Sequence, residues 1–408
     1  MKKQSNYTGL KIKALDIIRK SGPITKREIS KILNTNIGTI TRIVNTLDKK
    51  HNLINVSGKD TSESGRRPDL YVLNRKIGYI VGIDIGSENI RVVINDMLGE
   101  VAIGTKYKVN SDNAIEIMDE IARTIDDLVS KLRISMSEIL GIGVGVSGFI
   151  ETGNGVSIFC PNRMGFNDFP LDKYLVEKFK KPVIVEDSVR CMAKVEKEFG
   201  AAKNVRNFIF VMLGIGIGTG IYIRDELYEG SIGITGEMGH ITIIEDGPLC
   251  NCGNRGCLEV LASGNAIVKR AKDGIEKGVI TSLSSYAKKG SEFGVDAIAK
   301  AAQDGDKFAY ELISRTGEYV GIGISTVLNL FGPRLIIIGG GVAESGDILL
   351  NEIKRIVKMR ALEMLTKKVK IINTTIGDNG GARGAAMLFV DSIFEKKNKD
   401  ILLEKIEA

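Results

Sequence analysis

The feature that most restricts the fold of this chain is a histidine followed by three closely spaced cysteines. His240 ends the run Gly-Glu-Met-Gly-His, and Cys250, Cys252 and Cys257 lie within eight residues of one another. An imidazole and three thiolates form a closed tetrahedral zinc site, which leaves no position for a metal-bound water. We therefore expect these four residues to hold a structural Zn²⁺. The alternative is a group of unligated cysteines beside a core histidine in a reducing compartment.

Apolar segments that end in glycine recur along the chain after residue 78. They cover residues 79–86, 142–148, 208–220 and 335–341, and residues 90–95 follow the first as its predicted hairpin partner. Longer helical stretches separate these segments, and this alternation is typical of an α/β domain. Glycine after a strand lets backbone N–H groups approach a phosphate or a sugar closely. One such turn is weak support for a ligand site, but the ordered set is more specific.

The excess positive charge of the chain is concentrated at its N-terminus. Residues 1–74 contain 15 Lys and Arg against 6 Asp and Glu, a net charge of +9, whereas the remaining residues carry −2. A compact basic segment is typical of proteins that bind a polyanion. An ordinary solvated surface is the simpler alternative.

The same segment has the helical pattern of a helix-turn-helix. One helix is predicted around residues 10–18, and a second begins at Thr25, because Thr25 and Glu28 have the spacing of a capping box. A third is predicted from about Ile37. Its inward residues at helical spacing are Ile40, Ile43, Val44 and Leu47.

Two short apolar runs after these helices predict a hairpin with a wing. Residues 53–56 and 70–73 form its strands, and residues 57–69 lie between them. Side chains of a recognition helix read the major groove, and arginines of a wing are attracted to a narrow minor groove. The DNA contacts expected from this pattern are Asn36, Thr39, Thr41, Arg42, Arg66 and Arg67. A protein-interaction module and a flexible linker are the alternatives for the helices and the wing.

The ordered glycine turns, the run from Gly236 to His240 and the run from Cys250 to Glu259 resemble the ROK family of repressors, open reading frames and sugar kinases. The resemblance covers essentially the whole chain and is greatest to the family's xylose and N-acetylglucosamine repressors. It implies an actin-like (ribonuclease-H-like) two-lobed α/β fold preceded by a winged helix-turn-helix, which the family's kinases lack. The expected domains are residues 1–74, a small lobe of 78–190 plus about 385–408, and a larger lobe of 191–384.

The resemblance also implies a monosaccharide site in the cleft of the kinase-like domain. The residues that match the family's sugar-binding positions are Asn162, Asp187, Glu237, His240 and Glu259. His240 would bind zinc through one ring nitrogen and the sugar through the other. Carboxylates suit this role because their oxygens accept hydrogen bonds from adjacent hydroxyls.

Phosphoryl transfer is expected to be lost. Asp187 occupies the place of the family's catalytic base, but Glu186 and Val189 replace the flanking asparagines. The first phosphate loop reads Ser-Glu-Asn at residues 87–89 where kinases resemble Gly-Thr-Lys. A carboxylate at Glu88 opposes bound polyphosphate. The second loop, at residues 216–220, is intact, so an active ATP-dependent sugar kinase is the alternative function.

These features predict a cytoplasmic, sugar-responsive repressor of carbohydrate-metabolism genes that binds double-stranded operator DNA as a homodimer or higher oligomer. A monosaccharide effector would change operator affinity. A regulator sequestered by a transporter remains a further alternative. No secretory signal or membrane span is expected, because charged residues interrupt the apolar N-terminal stretch and residues 208–223 are too short. We expect the charged tail after Phe394 to be solvated surface.

Overall fold

The computed structural model describes residues 2–61, 67–109, 111–151, 155–160, 164–288, 293–395 and 398–407. The chain forms two compact units. The first contains Met1–Gly145, Pro170–Glu186 and Ala385–Ala408, and the second contains Val146–Phe169 and Asp187–Gly384. The domain boundaries given above stay a prediction.

Helices are found in both units. They are α1 (Lys2–Ser21), α2 (Lys26–Ile32), α3 (Ile37–Lys49), α4 (Ala114–Leu132), α5 (Leu171–Phe179), α6 (Ser188–Phe199), α7 (Leu258–Ala262), α8 (Gly264–Glu276), α9 (Ser284–Lys288), α10 (Val295–Gln303), α11 (Lys307–Phe331), α12 (Asp347–Arg360), α13 (Glu363–Thr366), α14 (Gly380–Phe394) and α15 (Asp400–Glu407). Among the described residues, none of these helices has both the length and the apolarity needed to span a bilayer.

The strands of the described residues form four sheets. They are β1 (Ile24–Thr25), β2 (Ile54–Lys59), β3 (Asp69–Leu73), β4 (Tyr79–Ile85), β5 (Asn89–Asp96), β6 (Val101–Lys108), β7 (Ile139–Val146), β8 (Phe149–Glu151), β9 (Val156–Phe159), β10 (Phe169–Pro170), β11 (Val183–Asp187), β12 (Phe208–Leu213), β13 (Ile217–Ile223), β14 (Glu226–Leu227), β15 (Leu335–Gly339) and β16 (Lys370–Asn373). The strand orders are β1-β3-β2, β10-β9-β8, β11-β7-β4-β5-β6 and β14-β13-β12-β15-β16.

The first three helices pack around the apolar side chains that the sequence places inward. The predicted capping box is confirmed: the Glu28 N–H donates to the Thr25 hydroxyl at 3.2 Å, and the Thr25 N–H donates to the Glu28 carboxylate at 2.8 Å. The four residues predicted on the inner face of α3 are all buried. The hairpin is also confirmed, since β2 and β3 are antiparallel. The short strand β1 pairs with β3, an addition that the sequence analysis did not predict.

The first unit contains a five-stranded sheet whose strand β7 carries glycines for close packing. A methyl group at Gly141 would lie 1.9 Å from the ring of Phe389, and one at Gly143 would lie 2.0 Å from the carbonyl oxygen of Ala385. Both contacts are with α14, so these glycines let the helix approach the strand. The C-terminal part of α14 therefore packs on the sheet of the first unit.

The second unit is built on the other five-stranded sheet, in which β12 is antiparallel to β13 and parallel to β15. The helix α11 supplies a long apolar face to its core. The buried α11 residues that belong to this core include Ile313, Val320, Ile324 and Leu328. This core supports the turn at residues 214–216 and the segment at 236–259, where the candidate site lies.

The expectation of a solvated tail after Phe394 is wrong. Helix α15 forms there, and its Leu402 and Ile406 are 0 % and 2 % exposed. These two apolar residues lie four positions apart and thus on one face of the helix. The charged residues around Leu402 and Ile406 make this short apolar face difficult to recognise in the sequence.

Candidate functional site

The four predicted metal ligands lie together in the second unit. The ligand atoms of His240, Cys250, Cys252 and Cys257 are all within 4.8 Å of one another. The Cys252 and Cys257 sulfurs are 3.7 Å apart, and the Cys250 sulfur lies 3.8 Å from Nδ1 of His240. Zn–S bonds of about 2.3 Å in a tetrahedron separate two sulfurs by roughly 3.8 Å. The donor set and its spacing therefore fit a tetrahedral metal ion.

Without a positive charge among them, the thiol of Cys257 keeps its proton. Burial and, after it, the sulfurs of Cys252 and Cys250 together raise the pKa of Cys257 to about 12. Three thiolates so close together repel one another unless a positive charge lies between them. The described cluster can therefore hold a metal ion.

His240 has its two ring nitrogens in different environments. Nδ1 faces the Cys250 sulfur, whereas Nε2 lies 4.0 Å from a carboxylate oxygen of Glu237. A metal ion on Nδ1 leaves Nε2 as the protonated nitrogen, which is then a hydrogen-bond donor. The imidazole thus joins the metal cluster to the carboxylates described next.

Three acidic residues from different segments influence one another in the second unit. Burial and, after it, the charges of Asp187 and Glu259 together raise the pKa of Glu237 to about 7. The Glu237 side chain is still 41 % exposed, so an external ligand has access to it. A carboxyl group that titrates near neutrality both accepts and donates hydrogen bonds, which suits contact with hydroxyl groups.

Each of the other two carboxylates is held by backbone N–H groups. Asp187 caps α6 and accepts hydrogen bonds from the N–H groups of Val189 at 2.8 Å and Arg190 at 3.1 Å. Glu259 accepts a hydrogen bond from the N–H of Ile217 at 2.8 Å. The two side chains are therefore fixed by a helix N-terminus and a glycine turn, respectively.

Arg190 is a supporting residue that sequence reasoning missed. Its side chain is buried, and its guanidinium donates to the carbonyl oxygen of Gly233 at 2.8 Å. Gly233 stands four residues before Glu237, so Arg190 connects the start of α6 to the segment that carries this carboxylate. The sequence carries no local signal for this role, because the burial of Arg190 is visible only in the fold.

The first glycine turn contains an ion pair that the sequence analysis also missed. Asp84 and Arg91 lie opposite each other in the β4–β5 hairpin, and a nitrogen of Arg91 is 3.4 Å from the Asp84 carboxylate. A methyl group at Gly86 would lie 3.8 Å from the same guanidinium. Glu88 is exposed at the tip of the turn. The charges of this turn are thus a partly buried cation paired with Asp84 and an exposed carboxylate.

The predicted DNA-contact residues occupy the outer side of the N-terminal helices. Asn36 and Arg42 are exposed, whereas Thr39 and Thr41 are partly exposed. The Asn36 side chain caps α3 by accepting a hydrogen bond from the N–H of Gly38 at 2.7 Å, an additional structural role. Arg67 is exposed next to β3.

Two predicted site residues, Asn162 and Arg66, lie outside the described residues. Their roles stay predictions, as do the sugar and DNA contacts assigned to the described residues.

Comparison with known proteins places this arrangement in a family. The model of the ROK family matches residues 80–392. The chain belongs to the ROK family. The ROK chain is 33 % identical over 378 residues to a xylose repressor of Bacillus spizizenii. The aligned region covers 93 % of this chain and 94 % of the repressor. The chain is 34 % identical over 313 residues to a glucokinase of Halalkalibacterium halodurans, but this match spans only 76 % of the chain.

A solved structure resembles the ROK chain along nearly its whole length. It is the crystal structure of a ROK family transcriptional regulator, a homolog of the E. coli MLC protein, with a TM-score of 0.83 and 25 % identity. The likeness covers 98 % of this chain and 99 % of the regulator, so it includes the N-terminal helices. The predicted fold class, an actin-like ROK domain preceded by a winged helix-turn-helix, is confirmed.

Proposed function

We propose that this ROK protein is a sugar-responsive transcriptional repressor of carbohydrate-metabolism genes. The main support for the proposal is the fraction of the chain over which it is similar to known repressors and regulators. The matches to a xylose repressor and to a regulator structure span 93 % and 98 % of the chain, whereas the glucokinase match spans 76 %. The family model leaves out residues 393–408 and residues 1–79, which contain the basic N-terminal segment.

Residues 1–74 form the DNA-binding domain in this proposal. Helix α3 enters the major groove and presents Thr39, Thr41 and Arg42 to base edges, and Asn36 lies at its N-terminus. The inner face of α3 is filled by buried apolar residues, which orients the polar face outward. Arg67, together with Arg66, reaches the minor groove from the wing. The net charge of +9 on this segment supports attraction to the phosphate backbone.

The sugar site is formed by the carboxylates of Asp187, Glu237 and Glu259 with His240. The mutual electrostatic influence of the three acids supports a common ligand site, because hydroxyl donors relieve the repulsion among them. Asn162 is assigned to the same ligand. The xylose repressor among the relatives makes D-xylose the first effector to test.

The metal cluster holds a structural Zn²⁺. With His240, Cys250, Cys252 and Cys257 as its four ligands, the ion has no vacant position and supplies no chemistry to a substrate. Its role is to fix the segment that carries Glu237 and Glu259 on either side of the cluster. His240 then donates from Nε2 toward the sugar.

The kinase reaction is absent in this proposal because the first phosphate loop is unsuited to a magnesium nucleotide. Carboxylates hold the divalent cations of phosphoryl-transfer enzymes, but Asp84 is paired with Arg91. The exposed Glu88 adds a negative charge where the phosphates would approach. Nucleotide binding is thus disfavoured twice, because Asp84 is already paired with Arg91 and Glu88 repels the phosphates.

The second candidate function is an active sugar kinase. It is favoured by Asp187 at the position of the catalytic base, by the retained glycines of residues 216–220, most of which lie in β13, and by the glucokinase relative. It requires Mg·ATP at the turn that contains Asp84 and Glu88, so ATP consumption discriminates between the two functions.

A repressor of this kind acts in the cytoplasm on double-stranded operator DNA. We propose that it does so as a homodimer or higher oligomer, because two DNA-binding domains are needed to read the two half-sites of a pseudo-palindromic operator. The sugar shifts the equilibrium between forms of high and low operator affinity, which requires different sugar affinities for the two forms.

The proposal is tested by capture of genomic DNA fragments on the full-length protein at moderate salt. The bound fragments are then challenged with a panel of monosaccharides that includes D-xylose, and ATP consumption is measured in parallel. Selective capture, release by one sugar and no ATP consumption are expected. The Glu237→Gln variant should capture the same fragments but lose the sugar response, whereas the matched control Glu245→Gln, an exposed acid nearby, should keep it. Sugar-dependent ATP consumption without selective capture would establish the kinase instead.

A further inference from the structure

Helices α11 and α12 of the second unit lie side by side and run in the same direction. A methyl group at Gly317 would lie 2.8 Å from Cβ of Glu352, and one at Gly321 would lie 2.6 Å from Cβ of Ile356. An advance of one turn along α11 is therefore matched by an advance of one turn along α12. The C-terminal ends of the two helices thus lie at the same end of the pair.

The short helix α13 joins these two ends. The N–H of Leu362, which precedes α13, donates to the side-chain oxygen of Asn329 near the end of α11 at 3.1 Å. A methyl group at Gly332, which ends α11, would lie 3.8 Å from a methyl carbon of Leu365 in α13. The last residues of α11, the last residues of α12 and α13 therefore form one surface within the second unit.

This surface exposes several large apolar side chains. Their exposed fractions lie between 41 % and 76 %, and the residues are Leu330, Phe331, Met359, Leu362 and Met364. Single exposed apolar residues are ordinary, but a group of five at adjoining helix ends is typical of a surface that binds a partner. We call these five residues the apolar patch.

Positive charge surrounds the apolar patch. Residues 352–370 contain seven Lys and Arg against two Glu, a net charge of +5, although residues 75–408 as a whole carry −2. The two acids are already paired, at 2.6 Å with Arg355 and at 2.7 Å with Lys367. The other cations are exposed and take part in none of the described ion pairs; they are Lys354, Lys358, Arg360, Lys368 and Lys370. The surface therefore attracts a negatively charged partner.

The charge and the shape of this surface favour one kind of occupant. A second copy of the chain in a twofold contact would place the surface against itself and bring the same cations together. Helices that bind a lipid surface present one long apolar face, whereas this patch combines two helix ends with the single turn Glu363–Thr366. An acidic protein segment meets neither objection.

We propose that the apolar patch and its surrounding cations form a docking surface for an acidic, amphipathic segment of a partner protein. Apolar side chains on one face of the segment pack against the patch, and its Glu and Asp side chains pair with the cations. Met359 and Met364 adapt to the shape of the segment, because their side chains are unbranched and flexible. This docking goes beyond the repressor function proposed above and requires neither sugar nor operator DNA.

The experiment uses the full-length protein and a fluorescent peptide of about 20 residues, long enough to form a helix, with Leu and Phe on one face and Glu on the other. Binding is measured by fluorescence anisotropy at about 0.15 M salt, where long-range attraction is screened. We expect a Kd of about 10 µM. The same peptide with Lys in place of Glu should not bind. Absence of binding by the acidic peptide would overturn the proposal.

Two substitutions test whether the peptide binds at this surface. Met364→Glu should weaken binding at least about tenfold, because it removes an apolar contact and repels the peptide, and Arg360→Glu should weaken it in the same direction. The matched control is Ile280→Glu, since Ile280 is 98 % exposed and lies outside the patch. It should bind as the wild type does. Attraction of the peptide to the basic N-terminal segment is common to all these proteins, so equal affinities would show that the patch is not the docking surface.

The other two occupants are tested with the same variants. The wild type and Met364→Glu are sedimented with vesicles of phosphatidylcholine containing about 30 % phosphatidylglycerol, an anionic lipid. Their oligomeric states are compared by sedimentation equilibrium. We expect the two proteins to behave alike in both measurements. Vesicle binding that Met364→Glu abolishes would assign the surface to a membrane, and an oligomer that Met364→Glu dissociates would assign it to a second copy. Either result would overturn the proposal.

Discussion

The carboxylate of Glu259 accepts a hydrogen bond from the backbone N–H of Ile217 at 2.8 Å. Glu259 follows the metal-cluster residue Cys257 by two positions, and Ile217 follows the glycine turn. A methyl group at Gly216 would lie only 2.7 Å from the same carboxylate oxygen. The second glycine turn is thus tied to the metal-binding segment, which gives this turn a structural role that does not depend on nucleotide binding.

This contact predicts different results for two substitutions of Glu259. Glu259→Gln keeps an oxygen acceptor for Ile217 but removes the charge, so sugar affinity should fall by about 1–2 kcal/mol, roughly tenfold in Kd. Glu259→Ala should lose more, because the glycine turn also loses its anchor. Calorimetric titration with the effector sugar measures both. Equal losses in the two variants would contradict the anchoring role.

Removal of one metal ligand should weaken sugar binding but leave operator binding nearly unchanged. In Cys250→Ser, metal content measured by mass spectrometry should fall from about one ion per chain to near zero, because a structural site needs all four ligands. Sugar affinity should drop at least about tenfold, since the Glu237 segment loses its support. Operator affinity without sugar should stay within about twofold, because the N-terminal segment folds around its own core.

Cys160→Ser is the control for this prediction. The Cys160 sulfur donates to the carbonyl oxygen of Ser147 at 2.9 Å, and a serine hydroxyl can do the same. This variant should keep both its metal and its sugar affinity. Loss of the metal from Cys160→Ser would point to general unfolding as the cause.

Local signals in the sequence predicted most of the N-terminal segment. The capping box needs only Thr25 and Glu28, three residues apart, and the inner face of α3 needs only helical periodicity. The Asp84–Arg91 pair was also within reach, because a tight hairpin at residues 86–89 fixes which residues face each other. Short-range geometry determines all three features.

Features that depend on distant parts of the chain could not be predicted in this way. Arg19 and Asp391 are 372 residues apart, and nothing near either residue identifies its partner. The contact of Gly141 with Phe389 requires the position of α14 on the sheet. The glycines of β7 therefore resembled ligand-binding turns in the sequence but serve helix packing. The convergence of Asp187, Glu237 and Glu259 was available only through family resemblance.

Arg67 is predicted to contribute to DNA affinity through charge. Arg67→Ala should weaken binding to all DNA sequences to a similar extent and reduce the slope of log K against log salt by about one. Arg42→Ala, on the recognition helix, should instead reduce the preference for the operator over random DNA. Fluorescence anisotropy at several salt concentrations measures both effects. Lys272→Ala, an exposed cation on α8, is the control and should leave the salt slope unchanged.

Substitution of Glu88 and Asn89 alone should not restore nucleotide binding at the first phosphate loop. The double variant Glu88→Thr, Asn89→Lys restores the last two residues of the kinase pattern, yet Arg91 still neutralises Asp84. We expect no binding of Mg·ATP by this variant in calorimetry. Addition of Arg91→Ala should free Asp84 for a divalent cation and give measurable binding, with Kd below about 1 mM.

Arg91→Lys in the same double variant is the charge-retaining control and should not bind Mg·ATP. Binding by the double variant with Arg91 intact would show that Glu88 and Asn89 alone excluded the nucleotide.

Asp306 should make the stability of the second unit depend on pH. Burial alone would raise the pKa of this carboxyl, but hydrogen bonds from Ala309, Ser282 and Thr281 lower it to about 2. Because the pKa is about 4 in the unfolded chain, the carboxylate stabilises the fold fully above that pH. This contribution is lost as the pH falls from about 4 to about 2, when the folded-state group becomes protonated.

Asp306→Ala removes the N-cap of α11 and should cost about 1–2 kcal/mol at pH 7. Thermal unfolding monitored by circular dichroism should show a difference in Tm from the wild type that is constant between pH 7 and pH 5. The difference should shrink as the pH falls below about 4, since the wild type then loses the same interaction. Asp304→Ala is the control: Asp304 is exposed, pairs only with Lys300 among the described ion pairs, and should change Tm little at any pH. A pH-independent difference for Asp306→Ala would mean that the cap acts through its shape and not through its charge.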